Sequence, residues 1–118
     1  MKLEVGQFAR LKSGYICKII NINDFREPNM KYGVEANYLK DVMFIGDDDI
    51  VKASYNIIDI LEVGDMVNSL IVAKISEDNE TKKKYINLYG SLCEWENEAI
   101  KSVITHEQME QMAYKVGG

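Results

Sequence analysis

The chain has 118 residues, 47% of them hydrophobic and 28% charged, which suits one soluble globular domain or two very small ones sharing a core. Its net charge is −5, with 14 basic against 19 acidic residues and only two arginines, Arg10 and Arg26. Duplex nucleic acid is therefore disfavoured as a partner, because displacing phosphate counterions needs clustered cations. The opening "MKLEVG" lacks the apolar run of a signal peptide, and no apolar run approaches the ~20 residues of a bilayer span. The expectation is a cytoplasmic protein with no membrane partner.

In chain order, "QFARL" predicts a strand, and "KSG" a turn in which glycine can take positive φ. "YICKIININ" is Ile-rich and suits a pleated surface. Its apolar residues fall on both faces and only Lys18 points clearly outward, so a strand covered on both sides is expected, by a second module or a second subunit. "DFREPN" holds the only proline and is a loop. "MKYGVEA" and "KDVMFI" are further strands, "GDDD" a hairpin tip and "IVKAS" a short strand. "SYNIIDIL" is a helical turn or an extended link. Then come the strand-forming segment "DMVNSLIVAKIS", the polar loop "EDNETKKK", the strand "YINLY", the turn "GS", the strand "LCEW", the acidic tip "ENE" and the strand "AIKSVI". Thr105 followed by Gln108 is a capping box, with Met109 and Met112 on one face of the short helix it opens.

The chain also repeats itself. "EVGQFARLKSGYICKI" begins at Glu4 and "EVGDMVNSLIVAKI" at Glu62. Gly6 aligns with Gly64, "YICKI" (15–19) with "IVAKI" (71–75), Lys31–Tyr32 with Lys84–Tyr85, and Ile50 with Ile100. The separation between matches falls steadily along the chain, as shorter turns in a second copy would make it. The expected fold is mainly β: two tandem SH3-like barrels of the Tudor or KOW kind from an internal duplication. Residues 1–60 form the first repeat. Residues 61–118 form the second, with a short helix near 106–113.

No residue set calls for catalysis. His106 is the only histidine and is expected as a solvated residue in the first helical turn, with no metal set around it. "GDDD" lacks the alternating ligand spacing of a calcium loop. "ETKKK" is a solvated charge cluster, and no phosphate loop, GxSxG or HExxH is present. The expectation is a protein that is not an enzyme, with no cofactor and no metal. Cys17 and Cys93 form no CxxC and are expected as buried free thiols. Two binding sites are on offer. Tyr38, in "ANYLK", and Trp95, beside "ENE", are aromatic anchors for docking on a protein. Arg10, Lys12 and Tyr15, at the first hairpin, place a cation pair around a ring and suit a nucleotide-derived ligand.

"MKLEVGQFARLKSGYICKI", "IVKASYNIIDILEVGDMVN" and "IKSVITHEQMEQMAYKV" together resemble small phage and prophage proteins of Clostridium-like Firmicutes. The shared pattern runs EVG, NIID, EVGD, TxEQ over nearly the whole chain, with departures at Ala9, where Val is typical, and Leu70, where Gly is common. The resemblance carries over no catalytic residue. It implies a non-catalytic accessory protein: an inhibitor docking on a host defence or regulatory protein, such as a CRISPR effector. The alternatives it implies are an oligomeric sponge for a nucleotide-derived immune signal, or a structural or scaffold component of the virion. A host protein is the expected partner, and homo-oligomers are compatible with the apolar strands.

Overall fold

The computed structural model describes residues 2–117. The chain divides into two compact units, Met1–Ile60 and Leu61–Gly118. Each holds one five-stranded antiparallel sheet, and the second also carries a short helix. Among the described residues no helix is long and apolar enough to cross a membrane.

In the first unit, β1 (Phe8–Leu11), β2 (Ile16–Ile22), β3 (Tyr32–Glu35) and β4 (Met43–Ile45) form a meander. A 3-10 turn at Asp47–Asp49 leads to β5 (Ile50–Ser54), which pairs with β1 and not with β4. "GDDD" is therefore no hairpin tip. It links the two edges of the sheet, and the Asp49 carboxylate accepts the Gly46 N–H at 3.0 Å to start the turn. The core is Leu3, Ala9, Leu11, Cys17, Ile19, Tyr32, Val34, Ile45 and Ile50. Tyr32 is buried, and its hydroxyl donates to Asp47 Oδ1 at 2.5 Å. A bulge interrupts the pairing of β2 with β3 between Ile19 and Asn21 and brings Ile22 to the core side with Cys17 and Ile19. The second face is also partly covered: Ile16 is half-buried there, and its partner Arg10 is buried.

The second unit is built from β6 (Met66–Val67), β7 (Leu70–Glu77), β8 (Lys84–Leu88), β9 (Glu94–Trp95) and β10 (Val103–Ile104), with β10 pairing β6. "DMVNSLIVAKIS" holds two of these strands, β6 and the start of β7. A two-residue turn at Asn68 and Ser69, with φ of 50° and 72°, divides it. A 3-10 turn at Asn97–Ala99 again links the edges, so "ENE" is not a hairpin tip either. The helix α1 (His106–Met112) follows. Thr105 caps it, taking the Gln108 N–H on its hydroxyl while its own N–H donates to Gln108 Oε1 at 3.0 Å. Val67, Val72, Ile86 and Leu88 are buried.

The strand order β4-β3-β2-β1-β5 of the first unit reappears as β9-β8-β7-β6-β10 in the second. Pairing fixes the equivalences. Phe8 faces Lys18 and Ala9 faces Cys17; Met66 faces Ile71 and Val67 faces Leu70. Seven residues separate Ala9 from Cys17, whereas Asn68 and Ser69 alone separate Val67 from Leu70. The second unit is shorter both at this hairpin and at the next but one, where twelve residues separate Tyr32 from Ile45 but eight separate Ile86 from Trp95. Ile19 consequently corresponds to Val72, not to Ile75 as the match of "YICKI" with "IVAKI" suggests. The Gly6 N–H donates to the Ile19 carbonyl at 2.8 Å, and the Gly64 N–H to the Val72 carbonyl at 3.0 Å. Tyr32 likewise corresponds to Ile86 rather than Tyr85, since each stands opposite the last residue of its unit's fourth strand, Ile45 or Trp95. A one-residue slip exchanges the faces of a strand, and Tyr32 and Ile86 are both buried.

Candidate functional site

Neighbouring antiparallel strands alternate in direction, so the β1–β2 and β3–β4 connections leave the first sheet at the same end. These connections, residues 12–15 and 36–42, carry Lys12, Tyr15 and Tyr38. The Tyr15 and Tyr38 rings meet with centroids 4.7 Å apart and planes tilted by 43°. Rings this close leave no slot between them, so a ligand can stack only on their outer faces. Tyr38 is 45% exposed, and Tyr15 is half-buried against the core. Burial, with Cys17 and Tyr15 nearby, pushes the Tyr38 hydroxyl up to about 12, so at neutral pH it is an uncharged donor. Lys12 is exposed on the same connection as Tyr15, and its backbone N–H donates to the Asp49 carbonyl at 2.9 Å.

The two sites expected from sequence are thus regrouped. Tyr15 and Tyr38, assigned to rival sites, stand together. Arg10 leaves its group: it is only 1% exposed, and Nη1 donates to the Ile60 carbonyl at 3.1 Å. Its role as a ligand-facing cation is corrected to that of a buried structural side chain. Trp95 belongs to the other unit. There it is half-buried on β9, opposite Ile86, with its indole N–H donating to Ser91 Oγ at 3.1 Å. The β6–β7 turn is only Asn68 and Ser69, with no counterpart of Tyr15, and among the described residues the second unit shows no such ring pair. Cys17 is buried and its thiol is pushed up to about 12 by that burial, but Cys93 is exposed, against expectation.

A second cluster grows from the repeated EVG segment. In each unit this segment makes the same turn. The Glu4 N–H donates to Gln7 Oε1 at 2.9 Å, and the Glu62 N–H donates to Asp65 Oδ2 at 2.8 Å. Gly6 and Gly64 both sit at φ of 99°, a conformation open to glycine alone without strain. A side chain following the last strand then reaches back to the glutamate. In the first unit the Tyr55 hydroxyl donates to Glu4 Oε2 at 3.0 Å; in the second, His106 Nε2 lies 2.7 Å from Glu62 Oε1. His106 is therefore not simply solvated. Glu107 Oε1 also approaches its Nε2, at 3.4 Å, and Glu62, His106 and Glu107 form a group able to hold a metal ion. The buried Asp65 supports this arrangement, taking the His106 N–H on Oδ1 at 2.9 Å while its other oxygen holds Glu62. Sequence reasoning missed Glu62 and Asp65, although the spacing of Glu to Gln or Asp in both EVG segments carried the signal.

Comparison with protein-family models, with curated proteins and with solved structures finds no match.

Proposed function

We propose that the chain is a non-catalytic binding protein of phage or prophage origin that docks on a host defence or regulatory protein. In this reading its docking surface is the loop end of the first unit. The observation that carries it is the Tyr15–Tyr38 pair: two rings from separate connections, one of them 45% exposed, with the exposed Lys12 on the same connection as Tyr15. Aromatic anchors ringed by polar residues are the usual anatomy of a binding hot spot. Such anchors bury large area at little entropic cost, because each ring has few rotatable bonds. Each unit is, in the same reading, an SH3-like barrel, and the pair arose by duplication. The shared strand order, the 3-10 turn before the last strand and the repeated EVG turn support this. Sequestration of a nucleotide-derived signal is the weaker alternative, since Arg10 is buried and only Lys12 of the two cations is exposed.

The test is a pull-down from host lysate with the parent chain and with Tyr38→Ala. Loss of a specific complex, corresponding to about 2 kcal/mol or more for a hot-spot anchor, supports docking at this face. Trp95→Ala should leave the complex intact. A nucleotide released from the purified protein by heat, with no protein partner captured, would instead favour sequestration.

A further inference from the structure

We propose that Glu62, His106 and Glu107 bind a divalent first-row transition ion, with zinc the best match. Their ligand atoms, one imidazole nitrogen and two carboxylate oxygens, all lie within 4.8 Å of one another. An ion held about 2.0–2.1 Å from such donors sets neighbouring ligand atoms roughly 3.0–3.4 Å apart. His106 Nε2 lies 2.7 Å from Glu62 Oε1 and 3.4 Å from Glu107 Oε1, so small side-chain rotations around a central ion satisfy that geometry. The backbone is already set. One buried carboxylate, Asp65, takes the N–H of Glu62 on one oxygen and that of His106 on the other, tying together the two chain segments that supply the ligands. The Thr105–Gln108 cap fixes the peptide next to them.

The donor set selects the ion. Magnesium and calcium favour all-oxygen sites, whereas an imidazole with two carboxylates suits zinc and its neighbours. Three protein ligands leave a further position for water. The first unit supplies an internal contrast, for there Glu4 meets the hydroxyl of Tyr55 and no imidazole. The ion would staple the EVGD turn to α1. This proposal is independent of the docking surface.

The experiment uses the full chain carrying Cys93→Ser, because an exposed thiol would itself take up soft metals. Cobalt(II) is titrated in while its visible absorption is followed, and zinc and magnesium are then added as competitors. The expected result is one equivalent bound, displaced by zinc and not by a large excess of magnesium. Zinc should also raise the melting temperature. Glu107→Gln retains the His106–Glu62 contact and should bind at least tenfold more weakly, while Glu80→Gln, at an exposed loop position, should bind like the parent. Absence of the cobalt spectrum, displacement by magnesium as readily as by zinc, or unchanged affinity in Glu107→Gln would each overturn the site.

Discussion

Arg10 donates from Nη1 to the carbonyl oxygen of Ile60 at 3.1 Å, across 50 residues of sequence, with its side chain almost wholly buried. Arg10 stands on β1, and Ile60 ends the 3-10 turn that follows β5, so the bond ties the sheet to the segment leaving it. A buried guanidinium is costly to leave without its partners and costly to remove once they are in place.

Arg10→Met should therefore lower stability by about 2–4 kcal/mol, because buried polar partners are left without a donor. Arg10→Lys should recover only part of this, since a single ammonium cannot reproduce the fork of a guanidinium. Urea denaturation followed by tyrosine fluorescence measures both. A ligand-facing arginine would give the opposite pattern, with stability unchanged and binding lost.

The two thiols should behave differently. Cys93 is exposed and should react at once with a thiol reagent under native conditions, whereas Cys17 should react only after unfolding. Burial lifts the Cys17 thiol from 9.0 to about 12. Its neutral form is thus favoured in the folded state. The associated stability is complete below pH 9 and is lost as pH rises towards 12. Cys17→Ala should flatten this part of the alkaline unfolding curve. A remainder should persist above pH 10, where Tyr32 and Tyr38, both raised mainly by burial, make the same kind of contribution.

What could be read in the sequence was local. The mainly β character, the short strands and the capped helix at Thr105 follow from patterns a few residues long. What could not be read was set by distant pairing. Nothing near "GDDD" says that β5 will leave β4 and join β1. Nothing near Arg10 names Ile60. Tyr15 and Tyr38 were divided between two sites because their contact depends on two connections emerging at one end of a meander. The bulge in β2 accounts for Ile22, since one inserted residue breaks the alternation without a glycine to mark it. The β6–β7 turn carries no glycine to mark it either, because its φ of 72° falls on Ser69, an uncommon host for that conformation.

Gly46 is required by close approach rather than by an unusual φ. A Cβ placed there would lie 2.4 Å from the Pro28 carbonyl oxygen and 2.7 Å from the Asn29 Cα. Both are backbone atoms of a 3-10 turn and cannot swing aside. Gly46→Ala should therefore force the β2–β3 connection away from the start of the Asp47–Asp49 turn. A loss of about 1–3 kcal/mol is expected, the usual range for overpacking. Gly90→Ala is the reference: its Cβ would meet open space, but its φ of 86° carries strain. Thermal melts of the two variants should place Gly46→Ala well below Gly90→Ala, and the reverse order would show that the close approach is easily relieved.

Asn68 performs two tasks, and substitutions can separate them. With Ser69 it forms the tight turn joining β6 to β7, at a φ of 50° that asparagine tolerates better than alanine. Its side chain also binds the segment entering β10. Nδ2 donates to the Ala99 carbonyl at 2.8 Å, while Oδ1 accepts the N–H groups of Lys101 at 2.8 Å and Ser102 at 3.1 Å. One residue thus fixes the turn and positions the strand that closes the order of the second sheet. Asn68→Gly keeps the backbone conformation accessible and removes the three side-chain bonds. Lys101 and Ser102 are exposed, so water can replace part of what is lost, and about 1–2 kcal/mol is expected. Asn68→Ala loses the same bonds and also strains the turn, adding roughly 1 kcal/mol. Amide hydrogen exchange should show the effect first at Val103 and Ile104, whose pairing with Val67 and Met66 relies on the anchored segment. The first unit should keep its protection in both variants. If Asn68→Ala proves as stable as Asn68→Gly, the positive φ contributes nothing. If neither changes exchange in β10, the side-chain anchor has no part in holding that strand.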